Sequence, residues 1–178
     1  MIHFIQPFSF DLNIGKAYNE AIELLPNDDW ICITDHDTLK FSGFALHVKE
    51  IILSVSKDVI FTSRVNRLAK SNPAVIEALY NCEDIDEHKD MASFLWEQNK
   101  TLLTDAKVIA GCCMVFNKSL WRDVGGFIEN SITFDKHFSH TAKQKGKKLK
   151  IAQGLYVFHL YRWGHENPAT EIAHLIKK

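Results

Sequence analysis

Asp35 and Asp37 stand one residue apart where the apolar run Trp30-Ile31-Cys32-Ile33-Thr34 ends. Such a run reads as a buried strand, and side chains at i and i+2 of a strand end project to the same side, so the two carboxylates lie about as far apart as a divalent cation bridges. Two acids held together repel. A positive partner stabilises them: a metal ion, an arginine, or a metal bound to diphosphate. The same triplet also fits an acidic turn that closes a strand, because aspartate is a common turn former. His36 points to the opposite side and receives no chemical role. His159, in Tyr156-Val157-Phe158-His159-Leu160-Tyr161, offers an imidazole, with a hydrogen-bonded core histidine as the alternative. One or two carboxylates, phosphate oxygens and a neutral imidazole together suit Mg²⁺ or, given the histidine, Mn²⁺.

The elements around these residues follow from periodicity and turn chemistry. Ile2 to Phe8 reads as a strand closed by Pro7 and a polar loop, and Asn13 caps a helix whose Ile14, Ala17, Tyr18, Ala21, Ile22 and Leu25 recur at helical spacing. After the second strand and its acids, Phe41 to Ser56 reads as a helix and Val59 to Arg64 as a strand. Ala69 to Leu79 is looser and partly helical. Glu83 to Leu103 reads as a long helix, with Ile85, Met91, Phe94, Leu95 and Leu102 available for its buried side. Val108 to Phe116 is strand-like, Lys118 to Val124 a short helix stopped by Gly125-Gly126, and Phe134 to Lys145 another helix. Strands at Leu149 to Ala152 and Leu155 to Tyr161 precede a tail helix from Pro168. Alternating strands and helices predict an α/β domain with a mostly parallel sheet. Ligands of such sheets bind outside the carboxyl ends of the strands. That edge receives the Gln6 to Asn13 loop, Asp35, Asp37 and the Arg64 to Arg67 stretch, joined by the Gly125 to Asp135 loop and His159 if they fall on that side.

A chain of 178 residues with 46% hydrophobic content buries one proper core, so residues 1–178 are expected to form a single compact domain. A formal net charge of −1 gives no global reason to expect nucleic-acid binding. Locally, Lys143, Lys145, Lys147, Lys148 and Lys150 read as a solvated helix end, with a surface for acidic acceptors or membrane headgroups as the alternative. Cys32, Cys82, Cys112 and Cys113 lack zinc-site spacing. Buried thiols suit a reducing compartment, so a cytoplasmic location is expected. No apolar stretch reaches the ~18 residues of a bilayer span, so any membrane contact would be peripheral.

The strings Asn13-Ile14-Gly15-Lys16-Ala17-Tyr18-Asn19-Glu20-Ala21-Ile22 and Asp29-Trp30-Ile31-Cys32-Ile33-Thr34-Asp35-His36-Asp37 strongly resemble the segment of family 2 glycosyltransferases that reads N-x-G-x-x-x-N, a strand and D-x-D. Ala110-Gly111-Cys112-Cys113-Met114-Val115-Phe116, then Trp121-Arg122-Asp123-Val124-Gly125-Gly126-Phe127-Ile128-Glu129 and Asp135, resemble that family's acceptor-side segment of G-x-x-x-x-x-R, GGF-x-E and a downstream acid. His159 matches a histidine on a late strand. Four blocks agree in order and spacing over most of the chain.

The resemblance implies a GT-A type fold, a nucleotide-diphosphate sugar donor, with a UDP-sugar foremost, and Mn²⁺ or Mg²⁺. Residues 1–64 would form the nucleotide-sugar side and 83–165 the acceptor side. Asp35 would lie near the ribose or sugar, while Asp37 and His159 would bind the metal on the diphosphate. Asn13, Gly15 and Asn19 belong to the donor-side motif. Asp135 would be the general base that deprotonates an acceptor hydroxyl for inverting transfer, an ordinary acid near a helix start being the alternative. The acceptor would be a glycan, a lipid-linked sugar or another hydroxyl compound, as in polysaccharide biosynthesis.

The chain also departs from the family. One βα unit is missing or compressed between Ile2–Phe8 and Asn13, so base recognition would fall to Pro7, Phe8 and Asp11. Only Asp135 stands where the family commonly shows a Glu-Asp pair. Lys16 and Arg64 are candidates for phosphate contact, though Lys16 and Glu20 at i, i+4 fit a solvent-exposed pair. Trp163, with Tyr161 and Arg162, is a candidate stacking wall for an acceptor sugar, or a rim aromatic packed on the last strand. His165 is unassigned. The foremost rival is a shortened GT-A domain that binds a sugar nucleotide or glycan with little or no turnover. A phosphohydrolase using His36-Asp37 would need the pair on a helix, and nucleotidyl transfer lacks a glycine-rich phosphate loop here.

Overall fold

The structure is a computed structural model, and it describes residues 1–11, 13–69 and 71–161. The candidate aromatic wall at Arg162 and Trp163, His165 and the expected tail helix lie outside the described residues.

Among the described residues seven strands form one sheet, ordered β1-β2-β6-β4-β7-β3, with β5 paired to β7. They are β1 (Ile2–Ile5), β2 (Trp30–Thr34), β3 (Thr38–Lys40), β4 (Val59–Val65), β5 (Leu103–Asp105), β6 (Cys113–Asn117) and β7 (Lys148–His159). Helices α1 (Ile14–Glu23), α2 (Phe44–Leu53), α3 (Ile85–Asn99), α4 (Lys118–Val124) and α5 (Phe134–Gln144) lie between them in sequence. This is the α/β class expected. The strand directions, however, are mixed rather than mostly parallel. β1 and β2 run parallel, whereas β2 with β6, β4 with β6 and β3 with β7 run antiparallel. Antiparallel partners need no crossover helix, so an alternation of strands and helices does not by itself fix direction.

The chain packs as two compact units. The first comprises Met1–His36, Val55–Thr62 and Asp105–Lys150. Its centre is β2, buried along its whole length as a strand covered on both faces should be. Thr34 pairs with Cys113, and the ladder continues one step to the Asp35 N–H, which donates to the Cys112 carbonyl. Phe116, Phe127, Phe134 and Phe138 fill the core of this unit, with Phe127 and Phe138 centroids 4.4 Å apart. Asn13 caps α1 through its side-chain oxygen, which accepts from the Lys16 N–H, a contact typically worth about 1 kcal/mol.

The second unit comprises Asp37–Ser54, Ser63–Thr104 and, among the described residues, 151–161. Its core holds Leu79, Leu95 and Tyr156, with Phe41, Ile76, Cys82, Met91 and Ala92 packed around them. The buried stripe of α3 is His88, Met91, Ala92 and Leu95: Met91 and Leu95 are on it as expected, whereas Ile85 and Phe94 are exposed, as is Leu102 beyond the helix. A buried histidine defines this stripe. Its Nδ1 lies 2.7 Å from the Tyr156 hydroxyl and its Nε2 3.0 Å from the Cys82 carbonyl, which satisfies both ring nitrogens. Of the looser 69–79 segment only a 3₁₀ turn at Glu77–Leu79 is helical. In the first unit, Lys145 donates to the Asp123 carbonyl, Lys147 to Asp58 and Asp123, and Lys150 to Asp105. Among the described residues no helix is long and apolar enough to cross a membrane, and all four cysteines are thiols.

Candidate metal and donor site

Asp37 and His159 are brought together by strand register. Thr38 pairs with His159 in the antiparallel β3–β7 ladder, and the Leu160 N–H donates to the Asp37 carbonyl at 3.0 Å, so Asp37 stands opposite Leu160. The His159 Nε2 then lies 3.3 Å from the Asp37 carboxylate. His159 is 3% exposed, and its neighbours fix it: its N–H donates to the Asn66 side-chain oxygen, Nδ1 lies 2.9 Å from the Arg67 carbonyl, and the ring stacks on Tyr161. A carbonyl only accepts, so Nδ1 carries the proton. Nε2 is thereby turned toward the Asp37 carboxylate, where it can form an ion pair or bind a metal. Asp35, Asp37 and His159 each offer a ligand atom, all within 4.8 Å of one another. Two hard oxygens and one imidazole are a donor set for Mn²⁺ or Mg²⁺.

Asp35 is tied to the first unit by main chain and side chain. Gln6 Nε2 donates to its carbonyl, and the Tyr18 hydroxyl donates to its carboxylate at 2.7 Å. Tyr18 is buried, and burial followed by the Asp35 charge raises its phenol far above the usual range. Asp135 stands in the same unit in the first turn of α5. Burial pushes its carboxyl up, with a smaller contribution from Asp35, against the pull of the backbone N–H groups of Lys136 and Gly111. Gly111 leaves room for it, since a Cβ there would stand 3.3 Å from the Asp135 carboxylate. A carboxyl raised by burial is a more basic proton acceptor than an exposed aspartate.

The N-x-G-x-x-x-N segment makes its side-chain contacts with a loop of the same unit. The Asn13 side chain accepts from the Asn130 N–H and donates to the Asn130 side-chain oxygen. The Asn19 side chain donates to the Phe127 carbonyl and accepts from the Phe127 N–H. A Cβ on Gly15 would stand 2.1 Å from the Ile128 carbonyl oxygen. These three residues clip α1 to the Phe127–Asn130 loop that leads to Asp135.

The remaining expected residues are scattered. Asp11 accepts from the Ser9 hydroxyl and the Asn13 N–H, and these contacts hold its carboxyl below the usual range. Pro7 is half-buried in the same loop, while Phe8 is exposed and meets His36 edge-on at 6.2 Å. Lys16 lies 3.9 Å from Glu20, the solvent-exposed pair. Arg64 belongs to the second unit, where it binds the Ala74 and Val75 carbonyls and the Gln153 side chain. Sequence reasoning did not assign Tyr18, Asn66 or Arg67. Tyr18 reads as one more apolar position on the face of α1, and nothing in the local sequence marks its hydroxyl.

No family model matches the chain, and no curated protein matches it either. Among solved structures, the chain is similar to GalNAc-T7, a glycosyltransferase whose crystal structure contains UDP, GalNAc and Mn²⁺. The TM-score is 0.57 at 11% sequence identity. The match covers 84% of this chain and 30% of the neighbour, so the chain spans under a third of that protein's length. What the chain shares with that glycosyltransferase is therefore the GT-A type fold, and within that fold this chain has an Asp-Asp-His group of its own that could hold a metal.

Proposed function

We propose that this chain is a metal-dependent glycosyltransferase domain, resembling family 2, that transfers a sugar from a nucleotide-diphosphate donor to an acceptor hydroxyl with inversion. The observation that carries the reading is the Asp35, Asp37 and His159 group at the ends of β2 and β7, within a fold shared with a protein whose structure holds UDP and Mn²⁺. Asp37 and His159 would hold Mn²⁺ or Mg²⁺, and Asp35 would contact the ribose or sugar. A bound divalent ion supplies Lewis acidity that offsets the charge on a departing diphosphate.

The proton step belongs to Asp135. Its carboxylate takes the acceptor hydroxyl proton as the oxygen forms its bond to the anomeric carbon, and the bond from that carbon to the diphosphate oxygen breaks. The nucleoside diphosphate leaves with the electron pair, and attack opposite the leaving group inverts the configuration. The raised carboxyl of Asp135 and its electrostatic coupling to Asp35 support this assignment. Roles for Pro7, Phe8 and Asp11 in base recognition, and a UDP-sugar as donor, remain part of the same proposal. Arg64 and Lys16 are weaker phosphate contacts, because each has partners of its own.

The test is release of UDP from a panel of UDP-sugars with Mn²⁺, with water or a simple sugar as acceptor. General-base catalysis contributes about 10²–10⁴-fold, so Asp135→Asn is expected to lower turnover by at least ~100-fold while UDP affinity changes less than about threefold. Turnover within about threefold of the original would rule out Asp135 as the base.

A further inference from the structure

We infer that Tyr18 is a positioning residue of the donor site, one that orients the Asp35 carboxylate through its phenolic hydroxyl. The inference rests on the donor-site reading of Asp35 and adds a residue that neither the motifs nor the metal group supplies. Tyr18 is 1% exposed, and its ring is held edge-on by Phe127 at 5.6 Å and by Phe134 at 5.3 Å. A side chain needed only to fill that aromatic core would serve as well as phenylalanine. A buried hydroxyl is costly unless it is paired, so the position of its partner reveals its use. That partner is Asp35, at 2.7 Å, the length of a hydrogen bond to an ionised acceptor.

The rest of Asp35 is anchored as well. Its N–H donates to the Cys112 carbonyl at 3.1 Å, and its carbonyl accepts from Gln6 Nε2 at 3.1 Å. The main chain is thus fixed on both sides, and the torsions of the side chain are what Tyr18 restrains. One carboxylate oxygen takes the phenol, which sets the direction of the other. A donor hydroxyl or a cation approaching Asp35 then meets a carboxylate already oriented, and does not bear the entropy of ordering it. The ring packing also matters, because Phe127 belongs to the loop clipped by Asn13 and Asn19. Tyr18 therefore joins the orientation of Asp35 to the same helix that holds the loop leading to Asp135.

A double-mutant cycle tests this. Affinity for a UDP-sugar with Mn²⁺ is measured for the original protein, Tyr18→Phe, Asp35→Asn and the double variant, with circular dichroism to verify folding of each. Tyr18→Phe keeps the packed ring and is expected to weaken donor binding by about 10-fold or more, the scale of a hydrogen bond to a charged group. The double variant is expected to bind like Asp35→Asn alone, because a residue acting through Asp35 has nothing left to orient. A merely structural tyrosine would give multiplicative effects. Independent effects, or a Tyr18→Phe variant that binds within about twofold of the original, would overturn the role of Tyr18. A Tyr18→Phe variant that failed to fold would also overturn the inference, because the hydroxyl would then serve the fold and not the orientation of Asp35 for the donor. An original protein that bound no UDP with Mn²⁺ would overturn the donor-site reading itself, and this inference with it.

Discussion

At the scale of single residues, the site is defined by what each polar atom already has. His159 donates from Nδ1 to the Arg67 carbonyl, and so turns Nε2 toward Asp37. Asp135 is raised by burial and by Asp35, and that has a measurable consequence for stability. A carboxyl whose folded value lies above its unfolded value of 3.8 binds more protons in the native state, so stability falls as pH rises through that interval. Asp135→Asn removes the cost of holding an ionised carboxylate there. The variant is expected to melt above the original protein at about pH 7, with the gain shrinking as pH approaches the unfolded value. Melting temperatures across that range check it; a variant less stable at neutrality would contradict the burial argument. Asp35 and Asp37 stand out in the sequence by type and spacing, whereas His159 reads as readily as a core histidine and Asp135 is marked only by the family resemblance. Tyr18 and His88 did not stand out. Both look like positions on a helix face, and their partners, Asp35, Tyr156 and the Cys82 carbonyl, are supplied by other segments of the chain.

At the scale of elements, α1 is the piece whose purpose changed most between sequence and structure. Its motif reads as donor-binding, yet Asn13 and Asn19 use their amides on the Phe127–Asn130 loop, and Gly15 exists to let the helix approach Ile128. Gly15→Ala separates two opposing effects. Alanine in a helix gains about 1 kcal/mol over glycine, but a methyl group 2.1 Å from a backbone oxygen forces a displacement on the overpacking scale of about 1–3 kcal/mol or more. Net destabilisation is expected in urea unfolding; a stabilised variant would show that the helix and loop are not in close contact. Strand β3 escaped the sequence reading because three residues carry too little periodicity, and its pairing with β7 is long-range. In contrast, β7 was read as two strands because Gln153 and Gly154 interrupt the apolar run. Gly154 is there for a close approach, since a Cβ would stand 2.3 Å from the Lys100 carbonyl oxygen, and the strand passes through it unbroken. Capped helices were read closely: α4 is Lys118–Val124 in both, and α1 begins after Asn13 in both.

At the scale of the whole molecule, the α/β class follows from alternating elements, and strand direction does not. The order β1-β2-β6-β4-β7-β3 depends on pairings that local sequence leaves open. The two units have separate cores, one of phenylalanines around Phe127 and one around Leu79, Leu95 and Tyr156. A match over 84% of this chain but 30% of the neighbour shows that the shared fold accounts for most of the chain and a minority of the larger protein. The donor site carries the proposal. Its central claim is that a nucleoside diphosphate binds here with a divalent ion held by Asp37 and His159. Titration calorimetry with UDP, with Mn²⁺ and with EDTA, on the original protein and on Asp37→Ala, tests it most directly. The account predicts UDP binding that requires Mn²⁺, is lost with EDTA, and is weakened about 10–100-fold in Asp37→Ala, the scale expected when a metal site is impaired. UDP binding that is absent, or that is indifferent to both Mn²⁺ and Asp37, would contradict it.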